Sequence, residues 1–124
     1  MKLKGKTTKG IEKQIPAIGH SQYKNVAGAI AVAINLSPST DWQLESVRVH
    51  LSAAGTAGDL TATIDHNLGA EYDFVPLTQD MTSVTDLVWS PERPMEFRKG
   101  DKLDIVWANA STRTYGIEIV YKKR

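Results

Sequence analysis

From residue 11 onward, apolar and polar residues alternate with a period near two, interrupted roughly every 8–12 residues by turn formers, which is the pattern of short strands in a sandwich or barrel. Ile11-Glu12-Lys13-Gln14-Ile15-Pro16-Ala17-Ile18 puts Ile11, Ile15 and Ala17 on one side. Pro16 has no N–H to give a ladder, so this is an edge strand or an extended arm. Gly19-His20-Ser21 follows as a turn. Between Ala27 and Leu36, Ile30, Val32, Ile34 and Leu36 face one way and alanines 29, 31 and 33 the other. A strand with small residues on its second face admits another layer closely, although the alanines also suit a helix.

In Trp42–Ser52, Val47, Val49 and Leu51 alternate with Ser46, Arg48 and His50, while Trp42 and Leu44 have the opposite parity. A bulge near Glu45-Ser46 would turn all five inward. Gly55-Thr56-Ala57-Gly58 reads as a hairpin turn into Leu60, Ala62 and Ile64. Asn67-Leu68-Gly69 turns the chain into Ala70–Leu77, where Tyr72 and Phe74 share a face. Thr78–Asp86 lacks periodicity and reads as a loop with one helical turn. Leu87-Val88-Trp89 is a short strand closed by Pro91 and Pro94, and Met95 and Phe97 begin another. The Gly100-Asp101 turn delivers Leu103, Ile105 and Trp107 to the core, and Tyr115, Ile117, Ile119 and Tyr121 define the last strand. Nine short strands without the long crossovers of a parallel sheet predict an all-β fold, an antiparallel β-sandwich of jelly-roll type.

Composition agrees with one domain. The chain has 124 residues, 41% of them apolar, and no cysteine, so packing and backbone pairing must stabilise it, without disulfides or thiolate chemistry. It has no run of about 18 apolar residues, and its lysine-rich start lacks the apolar stretch of a signal peptide. The expectation is a soluble protein. Charge is unevenly spread: Lys2, Lys4, Lys6 and Lys9 occupy residues 1–10 without an acid, and Lys122, Lys123 and Arg124 end the chain. Residues 11–121 hold eight basic against fourteen acidic residues, a net −6. We therefore divide the chain into a basic N-terminal arm, residues 1–10, and one sandwich domain, residues 11–124. The four arm lysines are candidate partner contacts, set against the plainer reading that they keep the terminus solvated.

Catalytic signatures are sparse. His50 belongs to the outward face of its strand, His20 to a turn, and His66 follows Asp65 at a strand end, where Asp59 or Asp73 is the nearest addition to a metal site. No HxH, HxxxH or calcium-loop spacing supports such a site, and no GxSxG elbow or phosphate-binding glycine loop is present. We expect no catalytic, metal or cofactor site. Trp107 alternates with core residues, whereas Trp42 and Trp89 abut the loops STDW and WSPERP. These two are candidate partner or glycan contacts, or else caps on the ends of the core. Asn35-Leu36-Ser37 and Asn109-Ala110-Ser111 match a glycosylation sequon, which chance explains in a chain without a secretion signal. The arm can neutralise phosphates, but it lacks aromatics and arginine and sits on an acidic body, which argues against nucleic acid as the partner.

The segments WQLESVRVHLSAAGTAGDLTATIDHNLGAEYDFVPL, from Trp42, and FRKGDKLDIVWANASTRTYGIEIVYKK, from Phe97, resemble small β-sandwich proteins encoded among the structural genes of tailed bacteriophages. The closing pair GDKLDIVWAN and TYGIEIVYK carries most of the likeness. The resemblance implies a non-enzymatic virion part, a capsid decoration or cement protein or a piece of the tail. It would be made in the host cytoplasm and pack on capsid or tail subunits and its own copies. A carbohydrate- or receptor-binding module using Trp42 and Trp89 is the alternative.

Overall fold

The computed structural model describes residues 21–93 and 95–124. The basic arm with Lys2, Lys4, Lys6 and Lys9, the strand expected at 11–18, the turn at Gly19-His20 and Pro94 lie outside the described residues. Nine strands follow in chain order: β1 Ser21–Gly28, β2 Val32–Leu36, β3 Trp42–Leu51, β4 Asp59–Asp65, β5 Phe74–Asp80, β6 Asp86–Trp89, β7 Met95–Phe97, β8 Lys102–Trp107 and β9 Tyr115–Lys123. The only helical element among the described residues is a 3-10 turn at Ala70–Tyr72.

The strands form two antiparallel sheets, β1-β9-β3-β6 with β7 also paired to β3, and β2-β8-β4-β5. Pairs β1–β9, β2–β8, β3–β6 and β4–β5 make a long double ribbon rolled up on itself, which is a jelly-roll sandwich. Alternation explains the core. Val32, Ile34 and Leu36 of β2, Leu60, Ala62 and Ile64 of β4, and Leu103, Ile105 and Trp107 of β8 all point inward and are buried. From the other sheet they meet Trp42, Leu44, Val47, Val49 and Leu51 of β3 and Tyr115, Ile117 and Ile119 of β9.

The bulge anticipated in β3 is present. Leu44 faces Tyr121 and Ser46 faces Val120, leaving Glu45 without a partner on β9. The extra residue reverses the parity, so Trp42 and Leu44 join Val47, Val49 and Leu51 inside.

Four expectations are corrected. The segment Ala27–Leu36 is neither one strand nor a helix: it breaks at residues 29–31 as the chain passes from one sheet to the other, and Ile30 is 73% exposed. The break starts at Gly28, where a Cβ would stand 2.9 Å from the Tyr115 hydroxyl, so the chain is pressed against that ring and then turns away. Ser21 opens β1 rather than a turn, in register with Lys122. The glycine-rich stretch 55–58 is not a hairpin turn: β3 and β4 lie in different sheets, and this segment bridges them. Finally, residues 78–86 contain no helical turn. β5 runs to Asp80, and Met81 then inserts its fully buried side chain into the core.

Candidate functional site

Two surfaces outside the core carry a concentration of functional groups. The first is the outer face of the larger sheet, where strand register builds two cross-strand rows. One row is Asn25, Glu118, Arg48 and Val88, and the next is Ala27, Gly116, His50 and Asp86. Arg48 Nη1 donates to Glu118 Oε1 at 2.9 Å, and His50 Nδ1 lies 2.6 Å from Asp86 Oδ1. Ala27 and Gly116 make a low floor beside these pairs, leaving a groove of about 510 Å³. The His50 imidazole holds the Asp86 carboxyl below its ordinary range, by hydrogen bonding first and by charge second. Each charged group in the groove has a partner on the neighbouring strand.

The second surface is the β4–β5 end. Leu68, Tyr72, Phe74 and Val75, four exposed apolar side chains within eight residues, project there, each at least half exposed. Beneath them the loop is held by carboxylates. Asp73 accepts the His66 backbone N–H at 2.7 Å, and buried Asp101 accepts the N–H groups of Asn67 and Arg98, each at 2.9 Å. His66 Nδ1 accepts the N–H of Leu68 at 3.1 Å and lies 3.7 Å from Asp101 Oδ1. The His66 ring packs 5.6 Å from that of Tyr72. Sequence placed His66 near Asp73, and the structure does bring them together, but through a loop-shaping backbone bond. Among the described residues no three histidines or carboxylates are arranged to hold a metal ion.

The two tryptophans separate. Trp42 has no exposed surface: it stacks on Phe97 at 4.0 Å and meets Tyr121 edge-on at 5.6 Å. The expectation of a partner or glycan contact at Trp42 is therefore corrected, because β7 lays Phe97 directly across it. Trp89, on β6 opposite Val47, is half-buried and packs partly on the core. Of the two sequons, Asn109 is buried and its amide bonds to Ile30 O and to both backbone groups of Arg113, so its nitrogen is committed to the fold.

Sequence reasoning missed both surfaces, because membership depends on which strands become neighbours. One signal was legible: residues 49–92 contain seven acidic residues and no lysine or arginine. That stretch includes β4, β5 and β6.

No family model matches the chain, and no curated protein matches it in sequence. Among solved structures, it is similar to the nucleoplasmin-like N-terminal domain of Drosophila FKBP39, with 9% identity and a TM-score of 0.44 over 84% of this chain and 90% of that one. It is also similar to RmlC from Streptococcus suis, with 10% identity and a TM-score of 0.41 over 94% of this chain and 53% of that one. Infectious bursal disease virus strain Gx gives 13% identity and a TM-score of 0.38 over 84% of this chain and 33% of that one. These likenesses are too distant to carry an argument about function.

Proposed function

We propose that this chain is a non-enzymatic structural subunit of a phage virion, a decoration or cement protein that packs on the shell and on its own copies. The observation that carries the reading is the exposed apolar set Leu68, Tyr72, Phe74 and Val75 on a braced loop and the start of β5. Surface apolar groups gathered in this way mark a protein contact. The antiparallel sandwich supplies a stiff support, and the resemblance of residues 42–124 to phage structural proteins supplies the context. A jelly roll alone does not choose between capsid, lectin and enzyme roles. The division into a basic arm, residues 1–10, and a domain, residues 11–124, belongs to this proposal. The glycan-binding alternative has lost the two-tryptophan platform on which it rested.

The test is to purify particles of the phage that encodes the chain and image them. The chain should appear in repeated copies on the outer surface, and particles lacking it should lose their genome at a lower temperature. Particles without the chain, or glycan binding by the isolated protein that disappears in Trp89→Ala, would overturn the reading.

A further inference from the structure

Among the described residues, strand β5 pairs only with β4 and is an open edge. At this edge the adjacent Phe74 and Val75, each half exposed, stand beside an unusual charge arrangement. Asp59 and Asp80 stand directly opposite each other on β4 and β5, and neither takes part in an ion pair among the described residues. Like charges in register across a ladder repel. Exposed Glu71 carries the negative charge to the Leu68–Tyr72 tip, and Asp65 lies at the end of β4 with Lys102 opposite it on β8. The longest basic stretch of the chain is residues 1–20, with five lysines and one acid. There Lys2, Lys4 and Lys6 recur at every second position, so an extended backbone presents all three on one face. Ile11, Ile15 and Ile18 follow as apolar groups.

We propose that the β4–β5 edge is the docking surface for residues 1–20 of a second copy. In this arrangement the lysines sit over Asp59, Asp65, Glu71 and Asp80, and the isoleucines meet Phe74 and Val75. The topology favours a neighbour over the same chain. β1 and β6 are opposite edges of the larger sheet, and residues 81–85 alone connect β5 to β6, so β5 lies on the side away from β1. The segment joins the fold at Ser21, the first residue of β1, and copies set side by side bring that edge next to the β5 edge of the neighbour. Twenty extended residues reach up to about 65–70 Å, more than enough to cross. Such a contact is head-to-tail, the kind that closes rings or extends lattices. Pro76 and the register shift between Ala62 and Ile64 interrupt the ladder of the edge, so side chains, more than a continuous added strand, hold the segment.

This inference rests on the reading of the chain as an assembly subunit, and its test leaves the virion out. Full-length protein carrying a photo-crosslinking residue at Val75 is mixed with isotope-labelled full-length protein and irradiated. Crosslinks are then mapped by mass spectrometry. The expected products join position 75 of one copy to residues 1–20 of the other, with a yield that falls at least tenfold in 0.5 M salt or when Lys2, Lys4, Lys6 and Lys9 are glutamine. Asp59→Lys with Glu71→Lys should abolish them, and glutamates at the four lysine positions of the other copy should restore them. Both carboxylates are exposed and without hydrogen-bond partners among the described residues, and an unchanged circular dichroism spectrum verifies that the variants fold. Crosslinks to the same chain only, to other segments only, or none at all would overturn the inference, as would failure of the charge exchange to restore them. Crosslinks from a protein absent from the particles would refute the virion reading alone. A protein present on the particles without these crosslinks would refute only the docking surface.

Discussion

Deleting Gln43 should cost this domain much of its stability, whereas deleting Glu45, two residues on, should cost little. Glu45 is the unpaired residue of the β3 bulge, between Leu44 opposite Tyr121 and Ser46 opposite Val120. Without it, Trp42, Leu44, Val47, Val49 and Leu51 fall into one period of two and all still face inward, in register with β9. That deletion loses a surface pair with Lys122 at 3.3 Å, worth at most about 1 kcal/mol. Deleting Gln43 instead makes Trp42 the direct neighbour of Leu44, and one register can then turn only one of them inward. Trp42 is fully buried in the native fold. A tryptophan buries about 150–250 Å², which at about 25 cal/mol per Å² is about 4–6 kcal/mol. That loss is a large part of the whole stability of an ordinary domain, about 5–15 kcal/mol. Guanidinium unfolding followed by circular dichroism and tryptophan fluorescence separates the two variants. A Glu45 deletion as costly as the Gln43 deletion, or a Gln43 deletion within about 2 kcal/mol of wild type with Trp42 still shielded, would refute the account of the bulge.

Other perturbations read different parts of the fold. Ile105→Ala should cost about 2–5 kcal/mol by leaving a cavity, while Val106→Ala, on the half-exposed outer face of β8, should cost less than about 1 kcal/mol; urea melts of both variants check the register of that strand. Gly28→Ala should destabilise by about 1–3 kcal/mol through overpacking, because its methyl would press on the Tyr115 ring, and Tyr115→Phe in the same chain should recover much of the loss. His50→Ala should raise the Asp86 pKa toward the ordinary carboxylate value, read by carboxyl NMR. Since the folded pKa is the depressed one, the contribution of that pair is present above the unfolded carboxylate pKa and lost as pH falls through the folded value.

Alternation made the strands legible wherever a single sheet face is buried. The opposed parities of Trp42 and Val47 even predicted the bulge, because five large apolar groups on one strand have only one core to enter. Legibility failed where the chain changes sheets. Ile30 continues the alternation of Val32 and Ile34 but sits at the crossing beyond Gly28, and no local pattern marks that point. The stretch 55–58 has hairpin chemistry, yet it spans the two sheets and lies against the backbone of Met81, at a spot where Gly55 leaves no room for a side chain. Met81 itself lies among polar residues, so its burial depends on a neighbour distant in sequence. Both candidate surfaces fall in the same category. Their rows are made by β1, β9, β3 and β6 or by β4 and β5 coming side by side, and sequence gives the members without the adjacency.

The acidic edge admits two physical explanations, and they differ in what they require of the sign of the charge. An open strand such as β5 invites pairing with another chain, and charge, proline and a bulge on an edge all discourage it. Pro76 and the register shift near it already serve that end. For guarding alone, lysine serves as well as aspartate. Yet residues 49–92 contain seven acids and no lysine or arginine, and two of those acids face each other across the ladder. Asp80 owes its sign partly to the Thr82 N–H and hydroxyl that it accepts, but Asp59 and Glu71 accept no such bond among the described residues, and a guard gains nothing from two aspartates set opposite each other. A surface that receives a row of lysines needs the sign to be uniform, and the arriving cations relieve the repulsion. The single change Asp59→Lys separates the two. It replaces one guarding charge by another and removes the repulsion, so the isolated protein should stay monodisperse in light scattering at low concentration and melt no lower than wild type. Its capture of residues 1–20 from a second copy should nevertheless fall. If capture were unchanged while Asp59→Leu caused aggregation, the charges would be guarding the edge and nothing more.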